Sequence, residues 1–283
     1  MQEECINKVD NNNRALLIIV VDQSSSMAGM INCDGRVISK AEMASEMANE
    51  LISELVERSR SCGSIQDYYD VAIIGYSDDE VRLLHGDGDW VSITVLDDKF
   101  IDKPTLFRDH VLADGTPQIL DYSMRRWVIP QSAGSTPMYE AFLMVLDTAK
   151  RWCSMAENRD NMAPLVVNMT DGESTDCDYD DIIDIASRVK AVSTRQGNTL
   201  LFNTYIATNS ARQTELFPST VDFESRRDVS RAMRALFYAS SDIPEDLCSE
   251  VFDIKGDETL TTYKAMSCNS SAREFISILG IRL

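Results

Sequence analysis

The sequence predicts an α/β protein: a doubly wound, mostly parallel sheet of about six strands with one antiparallel edge strand and helices on both faces. Three observations carry this. Several short, β-branched runs are apolar almost throughout, as strands buried on both faces require. Amphipathic helical patterns alternate with them along the chain. One connection is too short for anything but an antiparallel turn.

The elements follow in order. After a polar, acidic tail (residues 1–14), "ALLIIVVD" (Ala15 to Asp22) is the first strand. From Ser39, "SKAEMASEMANELISELVERSR" opens with a capping-box pair, Ser39 and Glu42. It lays Met43, Met47, Ala48, Leu51, Ile52 and Leu55 on one stripe, and Gly63 is placed to end the helix. "DVAIIGYS" (Asp70 to Ser77) is the next strand, and the more polar "EVRLLH" (Glu80 to His85) is its hairpin partner after two acidic residues. From Gly86 to Gln131 no long period is visible, so an irregular insertion is expected, with a short strand or helix of its own at one sheet edge. "TPMYEAFLMVLDTAKRW" is a helix with Pro137 in its first turn after Thr136. "APLVVNMTD" (Ala163 to Asp171), "TLLFNTYIAT" (Thr199 to Thr208) and "EVFDI" (Glu250 to Ile254) supply further strands. "YDDIIDIASRVKAVS" and the final "SAREFISILG" supply further helices, and one domain is expected over residues 15–283.

Composition narrows the function. The 283 residues carry a formal net charge of -19, which repels phosphate backbones and anionic membranes and argues against nucleic acid and membrane partners. The one basic stretch, "ESRRDVSRAMR", has Arg226, Arg227, Arg231 and Arg234 at helical spacing and reads as a solvated helix face. Seven scattered cysteines without a CxxC pair fit reduced thiols rather than a disulfide framework or a zinc site. With a polar start and no long apolar run, a soluble cytoplasmic protein is expected.

In a doubly wound sheet, ligands sit beyond the carboxyl ends of strands at the point where connections leave in opposite directions. Asp22 ends the first strand and Asp171 ends a later one; if the two strands are neighbours, both face one crevice. Asp22, Ser24 and Ser26 form a D-x-S-x-S pattern, Thr136 precedes a helix, and Asp171 sits in "NMTDGESTD". All are oxygen donors, which suits Mg²⁺ or Mn²⁺, with Ca²⁺ behind them. Singly, each residue has an ordinary use: the serines and Thr136 as caps, Asp171 as a turn residue. The acidic run Glu173 to Asp184 is expected to serve a helix N-terminus, and His85 and His110, outside this set, to serve packing or surface.

In this order the five residues resemble the metal-ion-dependent adhesion site (MIDAS) of von Willebrand factor A (VWA) domains, whose pattern is DxSxS, then T, then D. The flanks "DQSSSM", "GSTPM" and "TDGES" are similar to the family's, as is "IGYSDD" after the second strand, and the likeness runs from Ala15 to the last helix. The resemblance implies a Rossmann-like VWA fold. It implies that Ser24, Ser26 and Thr136 bind the metal through hydroxyls, while Asp22 and Asp171 act through bound water. An open metal position would take an Asp or Glu carboxylate from a protein partner, making the chain a non-enzymatic interaction module with no small-molecule substrate. Intracellular bacterial members often work beside AAA+ ATPases, kinases or phosphatases. Alternatives are an extracellular adhesin that has lost its leader, or a metal-dependent hydrolase or phosphatase with Asp22 as nucleophile. Against the hydrolase, Ser24 stands where an acid/base carboxylate is wanted. Two departures stand out: Ser25 replaces the usual glycine, and the 86–131 insertion is long.

Overall fold

The computed structural model describes residues 13–33, 36–111, 117–208, 214–226, 229–256 and 262–270. The expected helix "SAREFISILG" and nearly all of the N-terminal tail lie outside them.

In chain order, β1 (Ala15–Asp22) leads through a 3₁₀ turn (Ser25–Ala28) to a hairpin of β2 (Met30–Cys33) and β3 (Arg36–Ser39), then α1 (Lys40–Arg58). A small hairpin, β4 (Arg60–Ser61) and β5 (Ser64–Ile65), precedes β6 (Tyr69–Ser77) and β7 (Glu80–Leu83). Next come β8 (Val91–Ser92), α2 (Ile93–Leu96), β9 (Thr105–Val111) and β10 (Pro117–Ser123). α3 (Met138–Ser154), β11 (Leu165–Thr170) and α4 (Tyr179–Lys190) follow. β12 (Ser193–Thr194), β13 (Gly197–Asn198), β14 (Leu200–Tyr205) and β15 (Glu215–Leu216) come before α5 (Thr220–Ser225), α6 (Arg231–Ala239), α7 (Cys248–Lys255) and β16 (Met266–Cys268).

The central sheet has the order β15-β16-β14-β11-β1-β6-β7, with β8 also on β6. From β16 to β6 the strands are parallel; β7 is the expected antiparallel edge, and the short β15 closes the other side antiparallel as well. From β1 the chain crosses through α1 to β6 on one side, then returns through α3 to β11 on the other. The connections therefore part at the end of β1, with Asp22 level with Tyr76, and Val21 with Met169. Leu17, Ile19 and Val21 of β1 pack with Met47, Leu51 and Leu55 of α1. Leu16, Ile18 and Val20 pack with Phe142, Val145 and Trp152 of α3 on the opposite face. Burial on both faces is why the run is continuously apolar, each such side chain contributing about 1.5–3 kcal/mol.

α1 carries the expected capping box: Glu42 N donates to Ser39 Oγ at 3.1 Å, and Ser39 N to the Glu42 carboxylate at 2.7 Å. Gly63 does not end this helix. The Ser59 hydroxyl closes it on Leu55 O at 2.8 Å, and Gly63 (φ 82°) with Cys62 (φ 51°) turns the β4–β5 hairpin, where positive φ favours glycine. "EVFDI" (Glu250 to Ile254) is not a strand but lies in α7. Val251 is buried and Cys248, Phe252 and Lys255 half-buried at helical spacing, with Ile254 exposed and Gly256 (φ 64°) as the cap. Five residues are too few to separate the two periods. The strand beside β14 is instead β16, and it is only three residues long.

The arginine stretch is not one helix face. Arg226 follows α5 and pairs with Glu215, Arg231 and Arg234 belong to α6, and Arg227 lies outside the described residues. Arg231 stands over the Tyr179 ring at 5.8 Å and Arg234 over Phe223 at 5.9 Å. Arg231 is exposed and Arg234 half-buried, so these ring contacts lie on a face that is still partly solvated.

The insertion is more regular than its sequence implied. β8 pairs with β6 and β9 pairs with β10 as an antiparallel hairpin. The chain returns through Trp127 and Val128, both buried. Asn49 of α1 receives them as a strand would: its Oδ1 accepts from Trp127 N (2.8 Å) and Val128 N (2.9 Å), and its Nδ2 donates to Val128 O (2.8 Å). Among the described residues no helix is long and apolar enough to cross a membrane.

Candidate metal centre

Asp22 is completely buried at the end of β1. Its Oδ1 accepts from Ser24 N at 2.9 Å and its Oδ2 from the Thr170 hydroxyl at 2.7 Å, so both oxygens are engaged. Burial pushes the carboxyl up to about 6, against the pull of the Ser24 and Thr170 hydrogen bonds. In the turn that follows, Ser24 Oγ and Ser26 Oγ stand 3.1 Å apart. Ser25, where the resemblance has glycine, is not among the residues with positive φ. It enters the 3₁₀ turn instead and donates its N–H to Gly134 O at 3.1 Å.

That bond brings in the loop of Thr136. Gly134 (φ 64°) lies so close to the β6–β7 turn that a Cβ there would come within 2.5 Å of Asp78 Cα. Asp78 and Asp79 have φ of 53° and 61°, the left-handed pair of a tight two-residue hairpin turn. Asp78 N donates to Ser135 O at 3.2 Å and Asp79 N to Ser135 Oγ at 2.8 Å. Thr136, buried, is clamped to the loop beyond β11: its N–H donates to Thr175 Oγ1 at 2.8 Å, and Thr175 N donates to Thr136 O at 3.1 Å. Helix α3 takes Pro137 rather than Thr136 as its cap residue, and the Asp176 carboxylate accepts from Tyr139 N (3.2 Å) and Glu140 N (3.1 Å). Of the acidic run, then, Asp176 serves α3, while Asp178 and Asp181 form the capping box of α4.

Asp171 holds a residue absent from the sequence expectation. Its Oδ2 accepts from Lys40 Nζ at 2.7 Å, and both side chains are almost fully buried. Lys40 is the first residue of α1, where the helix dipole disfavours a cation. That conflict was the available signal. On the other side Tyr76, the register partner of Asp22, is fully buried, and among the described residues its hydroxyl has no hydrogen-bond partner. Burial first, then the Asp22 charge, keeps it a phenol, and the nearby Thr170 hydroxyl is committed to Asp22 and Gly172.

Asp22, Ser24 and Ser26 are thus joined by hydrogen bonds, Asp171 adjoins them through Thr170, and Thr136 reaches them through Gly134 and Thr175. Among the described residues no three His, Cys, Asp or Glu side chains converge as ligands, so an ion here would depend on the hydroxyls.

No protein-family model matches the sequence, and no curated protein matches it. Among solved structures, the chain is similar to a von Willebrand factor type A protein from Catenulispora acidiphila, at 12% identity and a TM-score of 0.38, over 69% of this chain and 34% of that one. The SpRpn10 VWA domain is similar at 12% identity and a TM-score of 0.38, over 70% and 78% of the two chains. Proximal thread matrix protein 1 from the mussel byssus is similar at 15% identity and a TM-score of 0.37, over 71% and 38%. This chain therefore spans only about a third of the Catenulispora protein.

Proposed function

We propose that this chain is a VWA-type interaction module that binds an Asp or Glu of a protein partner through Mg²⁺ or Mn²⁺. Ser24, Ser26 and Thr136 hold the ion, with Asp22 and Asp171 behind them through water. The observation that carries this is the pair of serine hydroxyls 3.1 Å apart, in front of an aspartate whose oxygens are both engaged. Neighbouring oxygens on an octahedral Mg²⁺ at about 2.0–2.1 Å stand about 2.9 Å apart, so the donor pair fits such an ion. The motif order in the sequence points the same way. Neutral hydroxyls leave the ion's charge available to an outside carboxylate. At a net charge of -19, that ion offsets the repulsion an acidic partner would meet. The partner classes that follow from the resemblance are an AAA+ ATPase, a kinase or a phosphatase, met in the cytoplasm.

The test is a pulldown from source lysate in Mg²⁺ and in EDTA, with wild type, Ser26→Ala and Thr136→Ala. A partner held by wild type in Mg²⁺ and lost in EDTA and in both variants supports the metal bridge; equal retention in every arm overturns it. Turnover of phosphate or ester substrates that disappears in Asp22→Ala would replace it with a hydrolase.

A further inference from the structure

Lys40 reaches its place by an unusual route. The β2–β3 hairpin (residues 30–39) leaves the site turn and comes straight back, pinched at its base where Lys40 N donates to Gly29 O at 2.9 Å. The lysine stem then runs over Gly29 so closely that a Cβ there would lie 2.7 Å from Lys40 Cε. The ammonium ends on Asp171 at 2.7 Å, with side-chain exposures of 6% and 5%, so neither charge is offset by solvent. A cation is thus delivered, against the preference of its own helix terminus, to one of the two carboxylates of the candidate metal centre.

We propose that Lys40 is a built-in rival of the divalent ion: its ammonium neutralises Asp171 while the site is empty, and it must be displaced or crowded when Mg²⁺ or Mn²⁺ enters. This rests on the metal-dependent function above. In the empty site the Lys40–Asp171 pair avoids an isolated buried carboxylate. In the loaded site a doubly charged ion and an ammonium would both draw on the Asp171 carboxylate. Ion affinity is then set partly by the work of moving Lys40, and partner binding is tied to that movement. Arg would keep the charge and Met the approximate length of the stem, so the two substitutions separate charge from packing.

Mn²⁺ affinity is measured by calorimetry on wild type, Lys40→Met, Lys40→Arg and Gly29→Ala, with thermal unfolding of each in EDTA and in Mn²⁺. Lys40→Met is expected to bind about tenfold tighter or more, since a unit charge at this range is removed from beside the ion. Lys40→Arg should not tighten. Gly29→Ala, which keeps the lysine but pushes its Cε aside, should tighten by a smaller factor and covers the case in which Lys40→Met folds poorly. In EDTA Lys40→Met should melt below wild type, and Mn²⁺ should raise its midpoint more than that of wild type. Equal affinities for wild type, Lys40→Met and Gly29→Ala overturn the rivalry and leave the metal site standing. Binding by none of the four proteins overturns the metal site and the rivalry with it.

Discussion

The Thr170 hydroxyl donates to Asp22 Oδ2 at 2.7 Å, joining the ends of two neighbouring parallel strands by side chains just where their ladder stops. Thr170 Oγ1 in turn accepts from Gly172 N at 2.9 Å, fixing the turn that aims Asp171. Thr170→Val keeps the shape and removes both bonds, leaving a buried carboxyl oxygen and a buried N–H unsatisfied. A loss of about 2–4 kcal/mol is expected in urea unfolding, with weaker Mn²⁺ binding, while Thr170→Ser retains most of both. A Thr170→Val protein as stable as wild type would mean that Asp22 is oriented by something else.

Asn49 is the second buried polar group on which the site depends, at one remove. Its amide answers three backbone groups of Trp127 and Val128, from which the chain runs directly into the loop of Gly134 and Thr136. Asn49→Ala leaves two N–H groups and weakens the hold on one carbonyl, which Ser45 Oγ also bonds at 2.6 Å. About 3 kcal/mol of destabilisation is expected, and more than from Ser45→Ala, whose acceptor keeps Asn49 as a partner. Chemical denaturation of the two variants side by side measures the difference.

What was legible in the sequence follows from these contacts. β1, β6, β11 and β14 were readable because burial on both faces forces unbroken apolar runs, and α1 because its capping box is local chemistry. α7 and β16 were not, since five- and three-residue windows are too short to separate a helical period from a strand's. The β2–β3 hairpin did leave a signal, Asp34-Gly35 between "MINC" and "RVIS". It mattered because that hairpin delivers Lys40. The spacing of Asp22, Ser24 and Ser26 is visible along one turn, and Thr136 and Asp171 stand out only by motif order. Tyr76 and Thr170 enter through strand pairing, so no local pattern marks them, and Lys40 is marked only by its place at the first position of a helix whose dipole disfavours a cation.

Gly134 is the position in the Thr136 loop where a side chain is least tolerable. Its φ of 64° strains any L residue, and a Cβ would strike the Asp78 backbone, which cannot turn aside. Gly134→Ala should therefore lift the loop from the β6–β7 turn, at about 1–3 kcal/mol, and break the Ser25 N to Gly134 O contact. The far-UV spectrum should stay that of wild type, while Mn²⁺ affinity falls as Thr136 shifts. Unchanged affinity would separate Thr136 from the ion.

The fold also carries one histidine whose protonation is coupled to folding. His85 is buried below the β6 edge, with Nδ1 accepting from Ile73 N at 3.0 Å and Nε2 facing Gly88 O at 3.2 Å. The neutral ring with its proton on Nε2 satisfies both neighbours; a second proton on Nδ1 would meet an N–H. Burial pulls the folded-state value below the usual one near 6.5, with Lys99 adding to the effect and the two backbone contacts and Asp89 opposing it. The unfolded chain therefore binds this proton first as pH falls. The contribution of His85 is complete above about pH 6.5 and is lost on acidification through the folded value, with a limiting slope of about 1.4 kcal/mol per pH unit. Urea unfolding of wild type and His85→Asn from pH 7.5 to 5 isolates it from the carboxylates common to both. The wild-type curve should fall towards the variant's as pH drops; parallel curves would show that His85 is not held neutral.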